Sequence, residues 1–365
     1  MYSTPPMKKN VPFEGFDRTL HSAQSDPNPP SVHHEIRPAA NPEPGSKASD
    51  EEVAKSKASH LPPAFLERGE VFSAEEMTTR YTDEEWEGII ADTEKGVRVQ
   101  EGRKYPLPEG GVGGEGFTKT IDHTLLKLEA KSGQFDELCA EARVNKFATV
   151  CVRPNWVSKC VTDLKGSDIR VASVIGFHEG THDLSTKVQE LRESLEHGAL
   201  ELDVVINWPE LKAKKYSSVY NELATLRTQA PHPVLLKLIL ETSQLDRHEI
   251  IAGCVLAAAA HFDFVKTSTG FNGPGASVEN VRLMAACCEK LAIEHKDGTL
   301  RQMCVKASGG IRTLDDAVKM LEAGASRLGT SGGVWIAKEA KQQAAVGGES
   351  NGERPGMTTR LFTDY

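Results

Sequence analysis

The spacing of apolar and polar positions changes abruptly near Phe117. From there to about residue 345, short apolar runs alternate with longer stretches whose apolar residues recur every three or four positions. The runs predict strands over 119–126, 148–152, 170–177, 200–207, 234–240, 262–267, 303–307 and 326–329. A helical pattern follows each one, over 132–145, 155–164, 184–197, 216–229, 246–260, 277–293, 314–323 and 334–343. Leu184, Val188, Leu191 and Leu195 show the helical recurrence directly. Gly198 and Gly324 end two of these helices just before a strand, which suits a left-handed C-cap. Strict strand-then-helix alternation implies parallel strands joined by right-handed crossovers. Eight such units over about 230 residues fit a (β/α)8 TIM barrel, typically ~250 residues. An open doubly wound sheet competes with it. That fold would gather its polar chemistry at one switch point, whereas here polar groups close many strands. No internal repeat suggests a solenoid.

Upstream the pattern is different. Residues 1–60 are poor in aliphatics and rich in Pro, Ser, Asn, Lys and Glu, so they bury too little to offset ordering entropy and are expected to be disordered. Residues 61–116 form a charged helical segment and a linker. Ser73-Ala74-Glu75-Glu76 and Thr82-Asp83-Glu84-Glu85 both look like helix starts, a capping hydroxyl followed by carboxylates. One or two short helices docked on the main body are expected there. Five glycines and two prolines between 106 and 116 mark a domain boundary. The barrel would then span 117–345, with a polar tail over 346–365.

Composition narrows the class. The net charge of −9 suits neither nucleic acid nor an anionic membrane as partner. Seven cysteines, an odd number with no CxxC pair, argue against a disulfide framework or a zinc site and for a reducing compartment. The first residues hold no apolar core of a signal peptide, and no run of about 18 apolar residues exists, so a cytoplasmic protein is expected.

The chemistry gathers at strand ends, which in a barrel point into one mouth. The first strand carries Asp122, His123 and Thr124, the second ends at Cys151, and the third ends at Gly176-Phe177-His178. Glu201 and Asp203 lie on the fourth strand, and Lys237 on the fifth before Glu241. Lys266 and Lys306 lie on the sixth and seventh. Lysines on three consecutive strands can approach one another, since neighbouring strands are about 4.8 Å apart. Repulsion and burial both lower a lysine pKa, and a neutral amine can attack a carbonyl to form a Schiff base. The plainer reading pairs each lysine with Asp203, Glu201 or Glu241 as barrel filling. Three lysines together favour chemistry, but these residues alone do not say which lysine is the nucleophile.

Gly309-Gly310 after the seventh strand and Gly329-Thr330-Ser331-Gly332-Gly333 after the eighth read as a phosphate cup, which Thr269-Gly270 could complete. Close backbone approach and exposed N–H groups at a helix start favour an anion. His123 and His178 near the mouth have no partner at metal-ligand spacing, so neither metal nor cofactor is expected. Cys151 reads as a small buried filler close to the mouth, and Trp156, Trp208 and Trp335 as packing between helices and barrel.

The segments Ile121-Asp122-His123-Thr124-Leu125-Leu126-Lys127, Glu201-Leu202-Asp203-Val204-Val205, Leu236-Lys237-Leu238-Ile239-Leu240-Glu241-Thr242, Asp263-Phe264-Val265-Lys266-Thr267-Ser268-Thr269-Gly270 and Val305-Lys306-Ala307-Ser308-Gly309-Gly310-Ile311-Arg312 together resemble the deoxyribose-phosphate aldolases. The resemblance spans about 117–340. It implies a class I aldolase, a lyase that reversibly cleaves 2-deoxy-D-ribose 5-phosphate to D-glyceraldehyde 3-phosphate and acetaldehyde, with a place in deoxyribonucleotide catabolism. By match to the family's motifs, Lys266 would form the Schiff base, Lys306 would perturb it and Asp203 would relay protons. Asp122 and Lys237 match further polar site residues, with Thr124 and Cys151 as supporting residues. Gly270, Gly309, Gly310, Gly329 and Ser331 match phosphate contacts. The family is often dimeric or larger, though no patch in the sequence assigns a homo-oligomer interface. Two departures stand out: Gly332 replaces a frequent second serine, and His178 follows Gly176-Phe177 where proline is usual. Another phosphosugar Schiff-base lyase, or a phosphosugar-binding protein without turnover, are the alternatives.

Overall fold

A computed structural model describes residues 81–294 and 300–347. The segment expected to be disordered, the helix start at Ser73 and the tail beyond 347 lie outside the described residues. Eight strands close a parallel barrel. They are β1 (Ile121–Thr124), β2 (Thr149–Val152), β3 (Arg170–Ile175), β4 (Glu201–Val205), β5 (Leu235–Ile239), β6 (Phe264–Lys266), β7 (Cys304–Ser308) and β8 (Arg327–Thr330). Each pairs with its sequence neighbours, and β8 pairs with β1 to complete the ring. The closed order excludes the doubly wound alternative.

Alternation along each strand sorts side chains into two shells. In β4, Leu202 and Val204 face the surrounding helices and belong to the large outer core. Val205 faces inward, with Cys151, Ala172, Val174 and Ile239, in a small interior apolar cluster. The rest of the interior is charged: Asp122, Glu201, Asp203, Lys237, Lys266 and Lys306 are all buried. The barrel thus has an apolar side around β2 to β5 and an ionic centre that spans β1 and β4 to β8.

The outer helices follow the expected pattern closely. They include Ser132–Asn145, Leu184–Glu196, Tyr216–Gln229, Arg247–Ala259, Val278–Lys290, Leu314–Glu322 and Gly333–Gly347. Gly198 and Gly324 adopt φ of 98° and 114°, as their C-cap reading requires. Two short α-helices were not foreseen, Glu115–Thr118 ahead of β1 and another after β4. Asn207 accepts a hydrogen bond from the Glu210 N–H at 3.3 Å and Pro209 fits the first turn, so Trp208–Lys212 forms a short helix after β4. A two-residue ribbon, Ile293–Glu294 with Leu300–Arg301, also precedes β7.

The helix expected at Thr82 spans Asp83–Gly96 and is named α1 here. Thr82 Oγ1 accepts from the Glu85 N–H, and the Glu85 carboxylate accepts from the Thr82 N–H at 2.8 Å, a reciprocal cap. Its buried face carries Trp86 and Ile90 against the helices Tyr216–Gln229 and Arg247–Ala259. Trp86 is fully buried, its ring 5.1 Å from Tyr81 and 4.9 Å from Tyr220. Burying an indole is worth on the order of 4 kcal/mol of transfer free energy. Residues ahead of the glycine-rich stretch therefore share the barrel's outer core.

Candidate active site

Strand register explains why residues far apart in sequence meet. Asp203 lies level with Lys237 across β4 and β5, and Lys266 lies level with Lys306 across β6 and β7. Asp203 is the hub. Its Oδ1 accepts from Lys237 Nζ at 2.7 Å. Its Oδ2 accepts from Lys266 at 2.8 Å and from Lys306 at 2.7 Å. Asp122 Oδ2 accepts from Lys306 at 2.5 Å. Glu201 pairs with Lys237 at 2.7 Å. Arg327, at the start of β8, donates to Asp122 at 2.7 Å and to Glu201 at 3.2 Å.

At its centre the cluster sets four cations, Lys237, Lys266, Lys306 and Arg327, against three carboxylates, Asp122, Glu201 and Asp203, while the exposed Arg170 reaches Glu201 from the rim at 3.7 Å. One positive charge is in surplus, and the geometry shows where. Lys237 and Lys306 each touch two carboxylates, whereas Lys266 touches one oxygen that it shares with Lys306. Burial, and the Lys306 ammonium, hold the Lys266 pKa below the ordinary lysine value despite Asp203. Burial opposes charge on Lys237 and Lys306 too, but two carboxylates each outweigh it and both are raised. Asp203 is pushed up by burial, and the three ammonium groups overcome this and hold it well below the usual range. Asp122 is lowered in the same way, by Lys306 and Arg327 against burial. The cluster thus holds one amine that gives up its proton most readily, and it is Lys266.

Around this centre the expected residues divide. Thr124 Oγ1 donates to the Asp122 carbonyl at 2.8 Å and so steadies β1 beside the cluster. Cys151 is fully buried in the interior apolar cluster, and burial raises its thiol pKa, so it stays protonated and fills space rather than attacking an electrophile. Gly270, Gly309 and Gly310 adopt φ of 86°, 85° and 77°, and the Gly270 Cα lies 3.4 Å from where a Gly309 side chain would begin. These glycines bring the sixth and seventh loops together, as a backbone cup requires. Ser331 lies exposed at the end of β8.

Gly329 differs from its expected role. It lies inside β8, level with Asp122 and Ser308. A Cβ there would lie 3.0 Å from Lys306 Cε and 2.9 Å from Ser308 Cβ, so this glycine makes room for the lysine. His123 also departs from the mouth: it faces outward, with its Nε2 2.7 Å from Glu141 on the helix Ser132–Asn145. His178 does sit at the mouth, stacked on Phe271 with ring centroids 5.1 Å apart. Trp156 stacks on Phe135, as packing predicts, but Trp335 is 53 % exposed under Lys338 and is no packing residue. Among the described residues no group of three or more His, Cys, Asp and Glu side chains could hold a metal ion.

Two contributions were not legible beforehand. Arg327 completes the ion balance, and its only signal was an inward position two residues before Gly329. Glu241 had been considered a lysine partner, yet it meets no lysine. Its φ is 58°, and its buried carboxylate accepts from Thr269 N–H at 3.2 Å, Thr269 Oγ1 at 2.5 Å and Asn272 Nδ2 at 3.2 Å. It pins the loop that carries Gly270.

Residues 117–342 match the family model described as DeoC/LacD family aldolase. A curated relative from Coccidioides immitis, named deoxyribose-phosphate aldolase, is 52% identical over 237 residues, 65% of this chain and 84% of that protein. A crystal structure of a candidate deoxyribose-phosphate aldolase from the same organism superposes with a TM-score of 0.65 at 48% identity, covering 72% of this chain and 98% of that one. A deoxyribose phosphate aldolase from Aeropyrum pernix, whose structure is described as tetrameric, gives a TM-score of 0.55 at 30% identity, covering 63% of this chain and 94% of that one.

Proposed function

This chain belongs to the DeoC/LacD family of aldolases, and we propose that Lys266 is the amine through which it works. The chain is a lyase of the deoxyribose-phosphate aldolase type, cleaving 2-deoxy-D-ribose 5-phosphate reversibly to D-glyceraldehyde 3-phosphate and acetaldehyde. The observation that carries the assignment to Lys266 is the charge surplus: of the three lysines in the barrel's ionic centre, it alone has a single carboxylate oxygen, shared with Lys306.

The chemistry follows from that arrangement. The neutral Lys266 amine adds to the C1 aldehyde, and the carbinolamine loses water to give an iminium. Acetaldehyde carries C1 and C2, so the bond that breaks is C2–C3. A base removes the proton from the C3 hydroxyl. The C2–C3 electron pair flows into the iminium, leaving an enamine on Lys266 and releasing glyceraldehyde 3-phosphate. Protonation at C2 and hydrolysis then free acetaldehyde and the amine. Asp203 lies within hydrogen-bond reach of Lys266 and is the group we assign to proton relay, through water where reach requires. Lys306, kept charged by Asp122 and Asp203, lowers the Lys266 pKa and supplies a proton donor. Lys237 balances the other oxygen of Asp203. Turnover is tested directly: acetaldehyde release from 2-deoxy-D-ribose 5-phosphate is expected, and a chain that binds the sugar phosphate without releasing acetaldehyde would be the non-catalytic alternative.

For the phosphate we assign the backbone of Gly270, Gly309 and Gly310, with Ser331. Gly332, where the family often has serine, has room for one. A Cβ there meets Thr330 Oγ1 at 3.4 Å and the Arg312 carbonyl at 3.6 Å, ordinary contacts. Gly332→Ser should therefore fold normally and lower KM for the phosphorylated sugar by about tenfold or more, the worth of one hydrogen bond to a charged group. The KM for unphosphorylated deoxyribose should not change. An equal effect on both substrates would show that the new hydroxyl does not reach the phosphate.

The seven cysteines are all free thiols, as suits the cytoplasm we assign. No helix among the described residues is long and apolar enough to cross a membrane. Self-association is carried by the tetrameric Aeropyrum pernix relative alone, and sedimentation of the full chain reads it directly.

A further inference from the structure

A second cationic cavity lies outside the barrel, between the segment that follows α1 and the helix Val278–Lys290. It is a small cleft, open to solvent, lined by Arg98, Arg103, Tyr105, Arg282, Ala286 and Glu289. Both walls are built deliberately enough to read. Arg282, Ala286 and Glu289 are spaced four and three residues apart, so they share one helix face. The facing segment turns at Gly102, with φ of 80°, and is anchored by the Tyr105 N–H, which donates to the Glu322 carbonyl at 2.9 Å.

The charges in this cavity do not cancel. Glu289 is the one carboxylate in its lining, and it is already engaged. Arg103 holds both of its oxygens, at 2.9 and 3.0 Å, and the Tyr105 hydroxyl donates to it at 2.9 Å. Arg103 also lies 4.4 Å over the Tyr105 ring, which fixes its plane. Arg98 donates only to the carbonyl of its neighbour Val97, at 3.3 Å. Arg282 Nε is buried and has no hydrogen-bond partner among the described residues. Three guanidinium groups against one carboxylate leave a surplus of two positive charges. A buried donor without a partner is costly, more so when charged, so the site is set up to gain from an anion.

We propose that Arg98 and Arg282 form a phosphate-binding site, separate from the catalytic cup, that takes a phosphate group or phosphate monoester. A phosphate monoester carries about −1.5 to −2 charge at neutral pH, which matches the surplus of two, whereas a single carboxylate matches half of it. Guanidinium forks also suit two oxygens of a tetrahedral anion. The site links the segment after α1 to the helix that follows the Gly270 loop.

The experiment is equilibrium binding of inorganic phosphate to the full chain, compared with Arg282→Gln and, separately, Arg98→Gln. Each variant should bind one phosphate fewer per chain, or bind that phosphate at least tenfold more weakly, one charge-assisted hydrogen bond's worth. The kcat/KM for deoxyribose 5-phosphate should stay unchanged, because neither residue touches the catalytic mouth. Unchanged phosphate stoichiometry and affinity in both variants would overturn the site. Acetate competing as strongly as phosphate would overturn the phosphate assignment. Since the readout is a difference between wild type and variants, it stands whether or not the catalytic cup itself holds free phosphate.

Discussion

Lys266→Ala should abolish turnover, with a loss on the order of 10⁴-fold or more, because no other group can form the covalent intermediate. The same variant should no longer be trapped by borohydride in the presence of acetaldehyde. In the wild type, reduction should leave one ethyl adduct per chain, mapped to Lys266. Lys237 and Lys306 are equally buried, but each is held charged by two carboxylates and so is a poor nucleophile. An adduct on either of them would sink the assignment. The pH dependence adds a second check. Burial lowers the Lys266 pKa, so trapping should persist below the range where an ordinary lysine is fully protonated, and fail as pH falls through the lowered value. The linkage to stability has a definite sign. Between the folded and unfolded pKa of this lysine the unfolded chain binds the extra proton, so its contribution to stability rises with pH across that window.

Asp203→Asn should have the second largest effect, and on two properties at once. The carboxylate is shared by three lysines, so its loss leaves four cations facing two carboxylates in a buried site. Removing one partner from a buried ionic pair costs about 3–5 kcal/mol, which for a domain of this size lowers Tm by on the order of 10 °C. Turnover should fall by about 10²–10⁴-fold, the usual range for a lost proton-transfer group. A third readout separates charge from mere instability. With Asp203 neutral, the main group opposing the lowering of the Lys266 pKa is gone, so acetaldehyde trapping should extend to lower pH than in the wild type. Trapping that shifts to higher pH instead would mean that Asp203 does not set the charge of Lys266. In the wild type the sign for Asp203 itself is the usual one for a depressed carboxylate. Its stabilising contribution is present above the unfolded value, near 3.9, and is lost as pH falls toward the lowered folded value.

Much of this molecule could be read along the chain, because its information is periodic. Strands buried on both faces and helices with one apolar stripe leave patterns that survive without coordinates. Most predicted strands were too long by one or two residues at an end, since apolar character continues past the last ladder hydrogen bond, whereas β7 and β8 end one residue later than predicted. The cap at Thr82 was legible for the same local reason, as both halves of its reciprocal bond lie within four residues. Trp208–Lys212 was not, being too short to show a period. Glu241 was misread because its partners sit on another strand's loop, 28 and 31 residues away.

Lys266 shows where the boundary falls. By itself the chain determined an eightfold alternation, a set of lysines and carboxylates at strand ends, and motif similarity that singled out one lysine. Chain order could not determine how three carboxylates are divided among four cations. That division depends on the register of neighbouring strands, which sets Asp203 beside Lys237 and Lys266 beside Lys306. It also depends on Arg327, which occupies Asp122 and Glu201 from across the closure of the barrel. Electrostatic energy varies with distance over a few ångströms and with burial, and both are properties of the folded ring. Only the tertiary structure leaves Lys266 with a single carboxylate oxygen, shared with Lys306.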